Sequence, residues 1–236
     1  MKKKLIISPN FSKKSRLKKN IKFVIIHYTG MQSEIESINW LKSPLSKVSC
    51  HYLIDKKGKI IQMVPENKTA WHAGKSMWKN FINLNEKSIG IELVNKGHKF
   101  GYENYSVNQI NSLIKLCKLL KRKYDLKTEN FLGHSDIAPL RKKDPGEKFP
   151  WKKLSKNKFG LWYVNKKVIK EKELSYQFFF KNLHKIGYRY FNTHKKSRKD
   201  KLIIEAFQRK YLPSEVSGKL NKKTIIISQY LANLSN

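Results

Sequence analysis

Short apolar runs alternate with amphipathic stretches along this chain, and the two periods predict strands and helices in mixed order. IKFVII (21–26) is a continuous apolar run rich in β-branched residues, the length of a buried strand, with His27 at its C-terminal end. SIGIELVN (88–95) reads as a second strand, with Ile89, Ile91 and Leu93 on one face and Gly90, Glu92 and Val94 on the other. VSCHYLID (48–55), KKGK and IIQMV (60–64) predict a hairpin with Gly58 in its turn. NFLG (130–133) is a further short run that delivers His134.

Two helices carry capping signals. Ser33 and Glu36 have capping-box spacing, Ile35, Ile38 and Leu41 follow on one face, and Pro44 closes the helix. Ser106 and Gln109 repeat the spacing ahead of Ile110, Leu113, Ile114, Cys117 and Leu120, a strongly amphipathic series. Residues 1–20 form a basic N-terminal arm, expected to be mobile from residue 8 onward. KKLSKNKFG (152–160) opens an expected linker over 152–170. Three helical patterns follow in 171–236: one within 171–186, KLIIEAFQRKYL (201–212) with Ile203, Phe207 and Tyr211 near one face, and NKKTIIISQYLAN (221–233). The pattern is that of an α/β domain over 21–151 with a small helical module appended.

Composition narrows the function classes. With 236 residues, 39% of them hydrophobic and 12% aromatic, the chain has enough apolar surface to bury a core, which excludes global disorder. The net charge of +34 favours anionic partners: nucleic acid, a membrane surface or an anionic polymer. Only 6 of the 51 basic residues are Arg, whereas base-reading proteins lean on the guanidinium fork, so the expectation is no nucleic acid. The lysine excess, with many Asn and Ile, also fits an A/T-rich coding bias. No segment approaches the ~18 apolar residues that span a bilayer. The start, MKKKLIISPNF, has an apolar run of only Leu5–Ile7, short of the ~7–15 residues of a secretory signal. Cys50 and Cys117 make no disulfide framework, and a single bridge between them stays open.

Candidate chemistry gathers around GHSDIAPLRKKDPG (133–146), which places His134 ten residues before Asp144 in a Gly/Pro-bounded loop. Hydrolytic zinc takes three His or carboxylate ligands and keeps one position open. His27, His134 and Asp144 are the candidates. Each has a plain alternative: a hydrogen-bonded core histidine for His27, a turn former before Pro145-Gly146 for Asp144. Glu92 is an acid in an otherwise apolar strand, which is costly unless paired or used. It reads either as an ion pair with a lysine or as a general base. Cys50 and His51 are strand neighbours pointing to opposite faces, so they form no nucleophilic pair, and no G-x-S-x-G elbow exists. His98, His184 and His194 read as surface. His72 lines a cleft beside Trp71 or simply packs.

Taken together, FVIIHYTG (23–30), SCHYLID (49–55), AWHAG (70–74), SIGIELVN (88–95) and GHSDIAPLRKKDPGEKFPW (133–151) resemble the zinc-dependent N-acetylmuramoyl-L-alanine amidases. The AmpD-like and AmiD-like branch is the nearest, related to phage amidase lysozymes and peptidoglycan recognition proteins. The resemblance implies an α/β fold with a mixed central sheet flanked by helices and one Zn²⁺ on His27, His134 and Asp144. It implies that Glu92 activates water and that Lys142, two positions before the aspartate, stands near the developing oxyanion. Tyr52 aligns with a tyrosine that some phage members use; with Glu92 present it is expected only to line the cleft, alongside Trp71 and His72. AFQRKYLP (206–213) and VSGKLNKKT (216–224) resemble a three-helix peptidoglycan-binding domain, although Ser217 stands where that family commonly has Asp. The expected substrate is peptidoglycan or muropeptides; the alternative is a non-catalytic peptidoglycan-binding protein. A missing export signal suits a cytoplasmic enzyme and a wall-binding-like module an envelope enzyme, with the envelope preferred.

Overall fold

The computed structural model describes residues 4–164 and 174–235. In chain order the strands are β1 (Lys4–Leu5), β2 (Phe11–Ser15), β3 (Phe23–Tyr28), β4 (Tyr52–Ile54), β5 (Ile60–Gln62), β6 (Lys68–Ala70), β7 (Met77–Trp78), β8 (Phe81–Ile82), β9 (Ser88–Leu93) and β10 (Phe131–Gly133). The helices are α1 (Glu34–Lys42), α2 (Val107–Tyr124), α3 (His134–Ile137), α4 (Trp151–Lys156), α5 (Tyr176–Ile186), α6 (Asp200–Tyr211) and α7 (Lys222–Leu234). The central sheet is mixed, in the order β1-β5-β4-β9-β3-β10. β10, β3, β9 and β4 run parallel, while β4 and β5 form the expected antiparallel hairpin. Gly58 sits in its turn at φ +85°, and a Cβ there would lie 2.7 Å from the Asn108 carbonyl oxygen, so both backbone and space call for glycine.

Strand alternation sorts the side chains into two cores. Val24, Ile26, Ile89, Ile91 and Leu93 face α2, packing on Ile110, Leu113, Leu116, Cys117 and Leu120. Phe23 and Ile25 face the other way, into a core with Ile137 of α3 and Phe179, Leu183, Phe207 and Leu231 of the C-terminal helices. The sheet is therefore sandwiched between α2 and the C-terminal helices. Ser33 and Ser106 cap α1 and α2 by accepting the N–H of Glu36 and Gln109, each at 3.1 Å.

Three expectations need correcting. The 8–20 arm, expected to be mobile, is built into the fold. β2 pairs with β6, and Arg16 is buried with its guanidinium donating to the carbonyls of Glu66, Asn85, Glu86 and Ser88 at 2.7–3.2 Å. Those carbonyls supply acceptors that make a buried cation affordable. The first part of the expected linker is α4 and its continuation, because Trp151, Leu154 and Phe159 are buried beneath the lysines. Residues 165–173 of that linker lie outside the described residues. On α1, Ile35 is 73% exposed; the buried edge runs through Ser37 and Leu41, one turn apart, with Ser37 Oγ donating to the Ser33 carbonyl at 2.8 Å.

Cys50 and Cys117 are both buried and free, so they form no bridge. Among the described residues no helix is long and apolar enough to cross a membrane.

Candidate metal centre and cleft

The fold brings His27, His134 and Asp144 to one point from three separate backbone positions. His27 is the penultimate residue of β3, on the face opposite Ile26. His134 opens α3 directly after β10, which pairs with β3. Asp144 returns to them because the loop closes on itself, the Ser135 N–H donating to the Asp144 carbonyl at 2.9 Å. Tyr102 and Tyr105 hold the far side of that loop, each hydroxyl donating to the Pro145 carbonyl at 2.7 Å. His27 Nδ1 lies 2.9 Å from His134 Nδ1, and each is 3.0 Å from Asp144 Oδ2. All three residues are buried. Together they make a possible His-His-Asp metal site.

The outer hydrogen bonds decide what those three atoms are. His134 Nε2 lies 3.1 Å from the Ala73 carbonyl, which can only accept, so the proton sits on Nε2 and Nδ1 is a lone pair. Arg141, 3.2 Å from the same nitrogen, directs its donors to the Ala73 and Lys75 carbonyls. For His27 the assignment runs through His72. Ser88 Oγ donates to the Leu84 carbonyl at 2.6 Å and so accepts from His72 Nε2, 3.2 Å away. His72 Nδ1 is then an acceptor, taking the proton of His27 Nε2 at 3.0 Å. His27 Nδ1 is left as a lone pair too. Burial, reinforced by His134, depresses the His27 pKa to about 4, which keeps the ring neutral. Two lone pairs and a carboxylate oxygen thus converge with no proton assigned between them, an arrangement that a cation stabilises. Ligands of a tetrahedral ion at ~2.0–2.1 Å are ~3.3 Å apart. The spacing of 2.9–3.0 Å fits with a small expansion.

His72 owes its place to two neighbours. Asn85 Oδ1 accepts the N–H groups of His72 and Ala73 at 3.0 and 2.7 Å, fixing the WHAG loop. Gly90 leaves room for the ring: a Cβ at that position would lie 2.3 Å from His72 Cγ.

Glu92 pairs in register with His27 on the adjacent strand, ~4.8 Å away across the sheet, and shares its face. Its Oε2 is buried and has no hydrogen-bond partner among the described residues. Burial, helped by Asp144 and opposed by Lys142, lifts its pKa to about 8. Glu92, Lys142, Lys143, Trp71 and His72 all border a cleft of about 590 Å³ that contains the three clustered residues. Lys142 is half-buried and Lys143 exposed.

Tyr52 is a correction. It is opposite Ile91, not Glu92, so its side chain points into the α2 core, fully buried, with its hydroxyl donating to Glu66. It does not line the cleft. His98, read as surface, stands at the cleft rim: Nδ1 is 2.8 Å from the Tyr28 hydroxyl, Nε2 is 3.1 Å from Glu147, and the ring stacks on Tyr102 at 4.5 Å. Tyr28, Trp40 and Arg141 are further lining residues that the sequence reading passed over. A larger groove of about 960 Å³ follows the outer side of α2, and none of this chemistry lies in it.

The mixed sheet, its flanking helices and the His-His-Asp cluster match the architecture of the amidase fold, whose solved examples align over nearly the whole chain. The family model for N-acetylmuramoyl-L-alanine amidase matches residues 17–147, and the chain belongs to that family. It is 33% identical over 230 residues to the Escherichia coli N-acetylmuramoyl-L-alanine amidase AmiD, covering 89% of this chain and 82% of that one. It is 40% identical over 107 residues to the 1,6-anhydro-N-acetylmuramyl-L-alanine amidase AmpD of Enterobacter cloacae, 45% of this chain and 55% of that one. Among solved structures, E. coli AmiD with anhydro-N-acetylmuramic acid-L-Ala-D-gamma-Glu-L-Lys aligns at TM-score 0.80 and 31% identity, covering 94% of this chain and 92% of that one. Pseudomonas aeruginosa AmpDh3 aligns at 0.81 and 29% identity, covering 97% and 98%.

Proposed function

We propose that the chain hydrolyses the amide joining the lactyl group of N-acetylmuramic acid to the L-Ala of the stem peptide, in peptidoglycan or its muropeptide fragments. His27, His134 and Asp144 hold one Zn²⁺ in this reading. The observation that carries it is the convergence of two imidazole lone pairs and one carboxylate oxygen within 3.0 Å of one another at the floor of an open cleft. When bound, zinc supplies Lewis acidity toward water and the amide carbonyl. The muramyl peptides bound to AmiD and to AmpDh3 support the choice of substrate class.

Glu92 is the proton carrier. Its unpartnered Oε2 accepts the proton of the attacking water and returns it to the departing amine nitrogen. Burial lifts the carboxyl to about 8 in the metal-free protein, and a dication alongside favours the ionised form that accepts the proton. Lys142 brings positive charge to the same cleft and acts on the oxygen that becomes anionic in the transition state. His72 and the Ala73 carbonyl orient the two imidazoles, the supporting role outer hydrogen bonds play around metal ligands. Trp71, Tyr28 and His98 form walls against which the sugar and peptide lie. The +34 charge draws the protein toward the carboxylates of stem peptides at low salt.

The test is release of stem peptide from purified sacculi and from small muramyl peptides by the zinc-loaded chain. Release that a chelator abolishes and zinc restores is expected. Binding to sacculi without any release would instead make the chain a non-catalytic peptidoglycan-binding protein.

A further inference from the structure

The C-terminal helices do more than cover one face of the sheet. Asp136, two residues after His134, is 1% exposed, and among the described residues its carboxylate takes three donors. The Gly133 N–H donates to Oδ2 at 2.8 Å, closing the turn that carries His134. The other two donors come from the C-terminal unit: Lys210 Nζ of α6 at 2.5 Å from Oδ2, and the Tyr188 hydroxyl at 2.6 Å from Oδ1. Lys210 is 4% exposed, and its ammonium also lies 4.2 Å from the centre of the Trp151 ring. The preceding residue, Arg209, reaches the other end of the same loop, 3.9 Å from Glu147, three residues past Asp144. Glu147 in turn meets His98 at the cleft rim. Consecutive residues of one helix therefore contact both flanks of the segment that bears two of the three clustered side chains.

A buried ion pair is a poor source of net stability compared with apolar packing, and its distinctive contribution is a fixed geometry. A helix that only needed to pack would bury an apolar residue where Lys210 stands. We propose that α6 is a positioning element of the active site, with Lys210 and Tyr188 holding Asp136, and through it the His134 turn, in the metal-binding arrangement. The C-terminal unit then completes the catalytic centre and is not merely a tether to the wall. This rests on the zinc reading above.

The experiment compares zinc affinity of the full chain by competition with a chelator, well below the melting temperature, together with kcat and KM on a small soluble muramyl peptide. Lys210→Met is expected to weaken zinc binding by about tenfold to a hundredfold, the usual cost of losing an outer-shell support, and to lower kcat with KM little changed. Tyr188→Phe keeps the core and removes one donor, so it shifts both readouts in the same direction by less, and it decides the matter if Lys210→Met does not fold. Adding Asp136→Asn to Lys210→Met removes the unpaired charge; the melting temperature recovers while zinc affinity stays low. Wild-type zinc affinity in Lys210→Met and Tyr188→Phe, or recovery of affinity together with melting temperature in the double variant, overturns the proposal. A wild-type chain that binds no zinc overturns the metal reading itself, which separates the two failures.

Discussion

Substituting Gly90 by alanine adds one methyl group at the point where β9 passes beneath His72. The backbone tolerates it, since Gly90 is not among the positive-φ glycines. The effect is steric. The new Cβ would lie 2.3 Å from His72 Cγ and 2.6 Å from Nδ1, against 3.4 Å for ordinary contact, so the ring must move by 3.4 − 2.3 = 1.1 Å. A shift of that size directed away from His27 stretches the 3.0 Å bond to His27 Nε2 to 4.1 Å, which breaks it. Overpacking of this kind costs ~1–3 kcal/mol, offset by ~0.4–1 kcal/mol because alanine restricts the unfolded chain. The net expectation is about 1–2 kcal/mol lost from the metal-free protein. Zinc affinity should fall by about 10- to 100-fold as the His27 ring loses its partner. Denaturant unfolding of the metal-free protein reads the first quantity and chelator competition the second. A double-mutant cycle isolates the cause: in a His72→Ala background the added methyl fills vacated space, and its penalty should vanish. Wild-type behaviour of Gly90→Ala in both assays, or an equal penalty with and without the His72 ring, would refute the account.

Other outcomes follow from the same geometry. Glu92→Gln should abolish turnover while a zinc titration matches wild type; retained turnover removes Glu92 from proton transfer. Lys142→Ala should lower kcat by about 10²–10³-fold with zinc still bound, the usual cost of losing one oxyanion donor, and steady-state kinetics on a soluble muramyl peptide checks it. His51 is buried beside Arg16, and burial first, then that guanidinium, depress its pKa to about 3 from 6.5. Below pH 6.5 the unfolded chain binds the proton that folded His51 refuses, so stability falls as pH drops, by about 2 kcal/mol between pH 6.5 and 5. His27, depressed to about 4, adds its own share to the slope, so His51→Gln should lessen the pH dependence by about 2 kcal/mol in denaturant melts run at the two pH values, and an unchanged slope counts against the buried neutral imidazole.

Much of the fold was legible because its strands announce themselves. IKFVII and SIGIELVN carry the central pair β3 and β9, and Ser106 and Gln109 mark the start of α2. The cluster of His27, His134 and Asp144 could be suspected from a histidine ending a buried run and two groups bracketing a Gly/Pro loop. Glu92 stood out as an acid in an apolar strand. Other features depend on which strand lies beside which, and no local pattern reports that. Tyr52 lies opposite Ile91, and one position of register separates a cleft residue from a core residue. His72 acquires its role only because Gly90 lies beneath it and Ser88 beyond it. Charge hid structure in two places. Arg16 looks like one more surface cation until the four carbonyls around it are known. In α4, flanking lysines mask Trp151 and Leu154, both buried.

Arg16 also bears on where this molecule can be cut. The span that marks the chain as an amidase opens at residue 17, one position too late to include it. An excised piece spanning 17–147 would take the guanidinium away from those backbone oxygens, strip β6 of its partner strand, and discard the lysine that meets Asp136. The span that declares the chain's kinship and the span that supplies its buried partners are different intervals here, and the second is the longer.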